Sequence, residues 1–129
     1  MSHFSQVKTK LRDRTVLKKA LQKLGFTVVE GEQGTQVRGY FGDTQKSEFK
    51  ILTDSHYDIG FVQDEQGNYS AVGDWELMPR VSGISQEPFL ASVKKEYAKE
   101  AILSTAAAQG YEVQIQENED TVEMVVVQW

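Results

Sequence analysis

The chain has 129 residues, 40% of them hydrophobic, which suits one domain with a core of its own. It contains no cysteine, which excludes disulfides, thiolate metal sites and cysteine nucleophiles, and no apolar run approaches the roughly 20 residues that cross a bilayer. A net charge of −5 argues against general nucleic-acid binding, and Met1–Ser5 lacks the apolar stretch of a secretory signal. The expectation is a protein without membrane insertion, and the lack of cysteine is compatible with a reducing compartment.

The charges are segregated along the chain. Residues 1–24 hold Lys8, Lys10, Arg12, Arg14, Lys18, Lys19 and Lys23 against Asp13 alone, whereas residues 110–129 hold Glu112, Glu117, Glu119, Asp120 and Glu123 with no cation. Three readings stand: two solvated faces, attraction within one fold or between subunits, or recruitment of different partners.

In chain order, Phe4–Leu11 alternates and reads as a first strand. Asp13 caps a helix whose apolar face is Val16, Leu17, Ala20, Leu21 and Leu24, and Gly25 ends it. Two strands, Phe26–Glu30 and Thr35–Phe41, follow with a turn at Gly31–Gly34, setting Val28 opposite Val37 and Phe26 opposite Gly39. Further strands run over Phe49–Thr53, Tyr57–Gln63 and Tyr69–Trp75, the last two closing at Asp64–Asn68 with Gln63 paired to Tyr69. Met78–Gln86 reads as irregular. Pro88 opens a second amphipathic helix that reaches Gln109 and carries Leu90, Val93 and Tyr97 on its stripe. A terminal hairpin, Tyr111–Gln116 and Thr121–Trp129, places Ile115 by Val122 and Val113 by Met124 if Gln116 pairs with Thr121.

Leu24-Gly25-Phe26 and Gln109-Gly110-Tyr111 each close a helix with glycine and open a strand with an aromatic residue, so a helix-hairpin unit occurs twice. The order β-α-β-β-β-β-β-α-β-β predicts a single α+β domain over residues 1–129, an antiparallel sheet with two helices on one face and both hairpins in that sheet.

The Met-Ser-His-Phe start, Leu24-Gly25-Phe26, Val37-Arg38-Gly39-Tyr40 and above all Tyr57-Asp58-Ile59-Gly60-Phe61 resemble the hypothetical chloroplast reading frame family numbered thirty-five. The resemblance spans nearly the whole chain. It implies a soluble protein of the cyanobacterial cytoplasm or plastid stroma, and brings no activity, cofactor or catalytic residue to carry over.

Asp54, His56, Asp58, Asp74 and Glu76 are the sharpest chemical group. Carboxylates with one imidazole hold Mg²⁺, Mn²⁺ or Fe(II), and Asp58 faces Asp74 across the hairpin, a repulsion that needs a cation or free solvent. Solvent is the simpler answer. His3 reads as a terminal anchor or a ligand. No phosphate loop, nucleophile elbow or zinc spacing is present, so no cofactor is expected and the balance leans away from an enzyme. Lys8, Lys10, Arg12 and Arg38 near Tyr40 make a weak case for an RNA-binding stripe.

The surface reading has more support. Val125, Val127 and Trp129 share one side of the last strand, an apolar stripe that either meets a protein partner or second copy, or is covered by residues 76–87. Tyr57 and Trp75 extend that candidate surface. The sequence thus favours a non-catalytic binding or assembly module acting through an open sheet face, against a small metal-dependent enzyme or metal sensor.

Overall fold

The computed structural model describes residues 4–118 and 121–127; the expectations on His3 and Trp129 lie outside the described residues, as does the side chain of Val127. Seven strands and three helices follow in order: β1 (Ser5–Lys8), α1 (Arg14–Lys23), β2 (Val28–Arg38), β3 (Thr44–Leu52), β4 (Asp58–Gln63), β5 (Tyr69–Gly73), α2 (Met78–Ser82), α3 (Gln86–Ala108), β6 (Glu112–Glu117) and β7 (Val122–Val127). The class is α+β, as the strand runs and amphipathic helices predict. Strands β1 to β5 form one antiparallel sheet in the order β1-β5-β4-β3-β2.

Helix α1 starts where Asp13 Oδ1 accepts the Val16 N–H at 3.1 Å, and the chain leaves it through Gly25 at φ 94°. Leu17 and Leu21 of α1, with Phe89, Leu90 and Val93 of α3, close over Phe49, Ile51, Ile59, Phe61, Tyr69 and Ala71 of the sheet. Both helices therefore cover the same face. They are also tied to each other, because the Asp13 N–H donates to the Tyr97 hydroxyl at 3.0 Å and Lys23 pairs with the buried Glu100.

The β4–β5 hairpin has the predicted register, with Gln63 opposite Tyr69 and Phe61 opposite Ala71. The preceding hairpin differs. Residues 28–38 make one strand, and Val28 pairs with Ile51 rather than Val37. Gly31–Gly34 is an irregularity within that strand, where the register shifts between Glu30 and Thr35. The chain reverses instead at Tyr40–Gly42, a 3₁₀ turn closed by the Gly39 N–H to the Asp43 carbonyl at 2.9 Å. Gly39 does make room for a ring, but for that of Phe4 and not Phe26: a Cβ there would lie 2.6 Å from Phe4 Cζ.

The irregularity has a consequence for the second face of the sheet. Side chains alternate along β4, so Asp58 and Gly60 face away from the helices that cover Ile59 and Phe61. Yet Asp58, Gly60 and Val72 are buried there, because the far half of the β2–β3 hairpin folds back over them and lays Val37 and Ser47 on Gly60. The expectation of an open sheet face is corrected: the chain covers the middle of that face with itself.

The second helix-hairpin unit is present, since α3 leads into β6 and β7 as α1 leads into β2 and β3. Its hairpin does not join the main sheet; β6 and β7 form a two-stranded sheet apart from it. Gln116 pairs with Glu123 rather than Thr121, because the Asn118 N–H donates to the Thr121 carbonyl at 2.9 Å and so tightens the turn. The difference is two residues, which preserves the alternation of faces. Between the sheets, Met78–Ser82 is helical, with Met78 buried and Gly83 at φ 72° ending it. Among the described residues no helix is long and apolar enough to cross a membrane.

Gly60 is the tightest point of the fold: an added Cβ would meet Val37 Cγ2 at 2.3 Å and Ser47 Cβ at 2.8 Å. Gly60→Ala is expected to lower unfolding free energy by about 1–3 kcal/mol in urea titrations. Gly73→Ala, whose Cβ would find its nearest atom at 3.4 Å, is expected to cost clearly less.

Candidate interaction surface

Where the β2–β3 hairpin folds back, it is fastened by one carboxylate. Asp58 is 0% exposed. Its Oδ1 accepts from Arg38 Nη2 at 2.7 Å, and its Oδ2 accepts from Arg38 Nε, the Arg38 backbone N–H and Lys50 Nζ, each at 2.9 Å. Lys50 also donates to the Gln36 carbonyl at 2.8 Å, so the knot ties β2, β3 and β4 together. Burial by itself pushes the Asp58 carboxyl up, but the hydrogen bonds from Arg38 and Lys50 outweigh it and hold the group below its ordinary value.

This knot positions the turn beyond it. Gly39 is pinned on Phe4, and the next residues swing out, with Phe41 at φ 51° and Gly42 at φ 76°. Phe41 is 87% exposed, its ring set edge-on to Tyr40 with centroids 4.5 Å apart. Beyond β3, the loop of residues 53–57 is stiffened by its own hydroxyls: Thr53 Oγ1 donates to the Tyr57 carbonyl at 2.6 Å, and Ser55 Oγ accepts the Tyr57 N–H at 3.1 Å. With Val81 the loop lines a groove of about 490 Å³. Partial burial, then Asp74, then Tyr40 push the Tyr57 phenol up.

The acidic group predicted around His56 does not assemble. Asp58 is spent on Arg38 and Lys50. Asp74, buried, accepts the Leu77 N–H on Oδ1 at 3.2 Å at the start of α2. Asp54 and His56 stand exposed in the 53–57 loop, and Glu76 is exposed after β5. Among the described residues no three His, Cys, Asp or Glu side chains converge as metal ligands. The repulsion between Asp58 and Asp74 is relieved by cations of the chain itself, which the sequence reading did not consider. Arg38 of the expected RNA-binding stripe is held by Asp58 while its side chain stays 42% exposed.

Of the predicted contact residues, Trp75 is 8% exposed and packs on Phe89, with ring centroids 5.8 Å apart, so it belongs to the core. Tyr57 is half-buried at the groove, and Val125 is 41% exposed on the β6–β7 ribbon. Phe41 was missed. Its signal was Tyr40-Phe41-Gly42-Asp43, two aromatics before a glycine, which the reading absorbed into the end of a strand.

Removing the Asp58 charge leaves Lys50, whose side chain is 14% exposed, without its carboxylate, while Arg38, 42% exposed, can turn to water. Asp58→Asn is expected to cost about 1.5–3 kcal/mol at pH 7. The folded value of Asp58 lies below the unfolded value of about 3.9, so its contribution is complete above that pH and is lost as pH falls through the folded value. Urea titrations should therefore show the gap between wild type and Asp58→Asn closing in strong acid.

Phe4, Val37–Tyr40 and Tyr57–Phe61, which belong to three of the four stretches that carried the family resemblance, meet at this knot: Phe4 lies on Gly39, Arg38 on Asp58 and Val37 on Gly60. Comparison with known proteins agrees with that resemblance. A family model described as "Protein of unknown function (DUF1257)" matches residues 20–127. An "Uncharacterized protein ycf35" of Cyanophora paradoxa is 30% identical over 132 residues, covering 100% of this chain and 98% of the relative. Proteins of the same description from Pyropia yezoensis (27% over 131 residues, 100% and 98% covered) and Guillardia theta (32% over 111 residues, 86% and 83% covered) are also similar. No solved structure matches. From the knot outward, and over nearly its whole length, the chain belongs to the DUF1257 family of proteins of unknown function.

Proposed function

We propose that the protein is a non-catalytic binding or assembly module of cyanobacterial or plastid type, acting in the cytoplasm or stroma, with a contact surface centred on Phe41. The observation that carries this reading is the placement of that residue. A phenylalanine with its ring in water forgoes the roughly 1.5–3 kcal/mol that burial offers. A left-handed backbone costs a residue with a Cβ roughly 1–2 kcal/mol more. Both costs fall on Phe41, at a turn where glycine would carry neither. An aromatic side chain on a rigid turn is the kind of anchor that dominates protein interfaces, because little freedom is left to lose on binding. The rigidity comes from below, from the Asp58 knot and from Gly39 against Phe4. Tyr40 and the groove beside Tyr57 extend the surface.

Affinity capture from a photosynthetic cell with wild-type and Phe41→Gly protein tests the reading. The variant should unfold within about 1 kcal/mol of wild type, since relief of the left-handed strain offsets the added chain entropy. It should also lose the protein that the wild type retains. Retention of the same protein at the same level by both would remove the turn from the function.

A further inference from the structure

Among the described residues, the basic head and the acidic tail of the chain make no ion pair with each other. Arg14 and Lys18 of the basic head pair with Glu30, Arg14 also with Glu48, and Lys23 pairs with Glu100. On the ribbon, Glu117 is taken by Lys95 and Lys99 of α3. Lys8, Lys10 and Arg12 are exposed and make no ion pair among the described residues; the same holds for Glu112 and Glu123.

These unpaired charges sit on open backbone edges. Strand β1 ends the five-stranded sheet, and only its β5 side is paired among the described residues. Lys8 lies on that edge strand, with Lys10 and Arg12 just after it. Among the described residues no strand pairs with either outer side of the β6–β7 ribbon, and Glu112 and Glu123 lie on its two strands. A lone two-stranded ribbon is marginal in water, and an unblocked edge is a template for another strand. The ribbon repels a copy of itself. On the outer edge of β2, Glu30 is already paired with Arg14 and Lys18, and Glu32 repels the carboxylates of the ribbon. Among the described residues, β1 is the open edge that carries unpaired cations.

We propose that the β6–β7 ribbon of one copy adds to the β1 edge of a second copy, with Glu112 and Glu123 set against Lys8, Lys10 and Arg12. Backbone pairing extends the five-stranded sheet with the neighbour's ribbon, and the exchange made in both directions closes a two-fold dimer. The inference specifies a partner for the assembly reading but uses a surface separate from Phe41, so either can fail alone.

Sedimentation at high protein concentration tests it. The wild type should be a dimer at low salt and dissociate as salt rises, because exposed charge pairs are screened. Lys8→Glu with Lys10→Glu and Arg12→Glu should be monomeric, as should Glu112→Lys with Glu123→Lys, each still melting cooperatively near the temperature of the dissociated wild type at high salt. Mixed together, the two variants should recover the dimer, since each then meets the opposite charge. A monomeric wild type at low salt, or a mixture that stays monomeric, would overturn the proposal. So would a dimer that survives the head substitutions and is lost in Phe41→Gly, which would place self-association at the turn.

Discussion

The structure depends on one buried carboxylate. Asp58 lies on the sheet face that the helices leave alone, and an ionised group without water needs partners for every lone pair. Arg38 and Lys50 supply them, and both come from the hairpin that folds back over that face. A buried ion pair of this kind contributes little net stability compared with apolar packing of the same volume. Its effect is on position: in the observed placement of β2 and β3 over β4, Arg38 and Lys50 together satisfy both oxygens of Asp58. The knot thus decides where a strand with a break at Gly31–Gly34 comes to rest.

From that fastening the rest of the surface follows. Val37 and Ser47 reach Gly60, which has no side chain to oppose them, and Phe4 reaches Gly39 for the same reason. Both glycines act as seats for neighbouring side chains. With the middle of the second face closed, the large apolar side chains left exposed among the described residues are Phe41, Val81, Tyr111 and Val125, none of them on the five-stranded sheet. A protein built this way exposes its apolar groups at turns, a short helix and the ribbon rather than on a broad sheet face.

Much of this was legible in the residues. Helix α1 announced itself by Asp13, the apolar spacing and Gly25, all local signals that no distant contact overrides. The β4–β5 register was legible because large residues must oppose small ones. The β2–β3 hairpin was not, since Gly-Glu-Gln-Gly suits a turn and an irregular strand equally, and the choice is made by Ile51 and Phe49, twenty residues away. The acidic group showed the same limit. Alternation put Asp58 and Asp74 on one face, but nothing local could show that Arg38 would arrive to neutralise the first. Long-range electrostatics, not propensity, separated the expected metal site from the observed ion-pair knot.

The most direct measurement is hydrogen exchange at individual amides of residues 36–43 in the wild type and in Asp58→Asn. If the buried carboxylate fastens the hairpin, the Arg38 amide is protected in the wild type. It should exchange much faster in the variant, while the β4–β5 amides stay slow relative to global unfolding. Equal protection of Arg38 in both proteins, with the β2–β3 hairpin still closed over Gly60, would contradict the account.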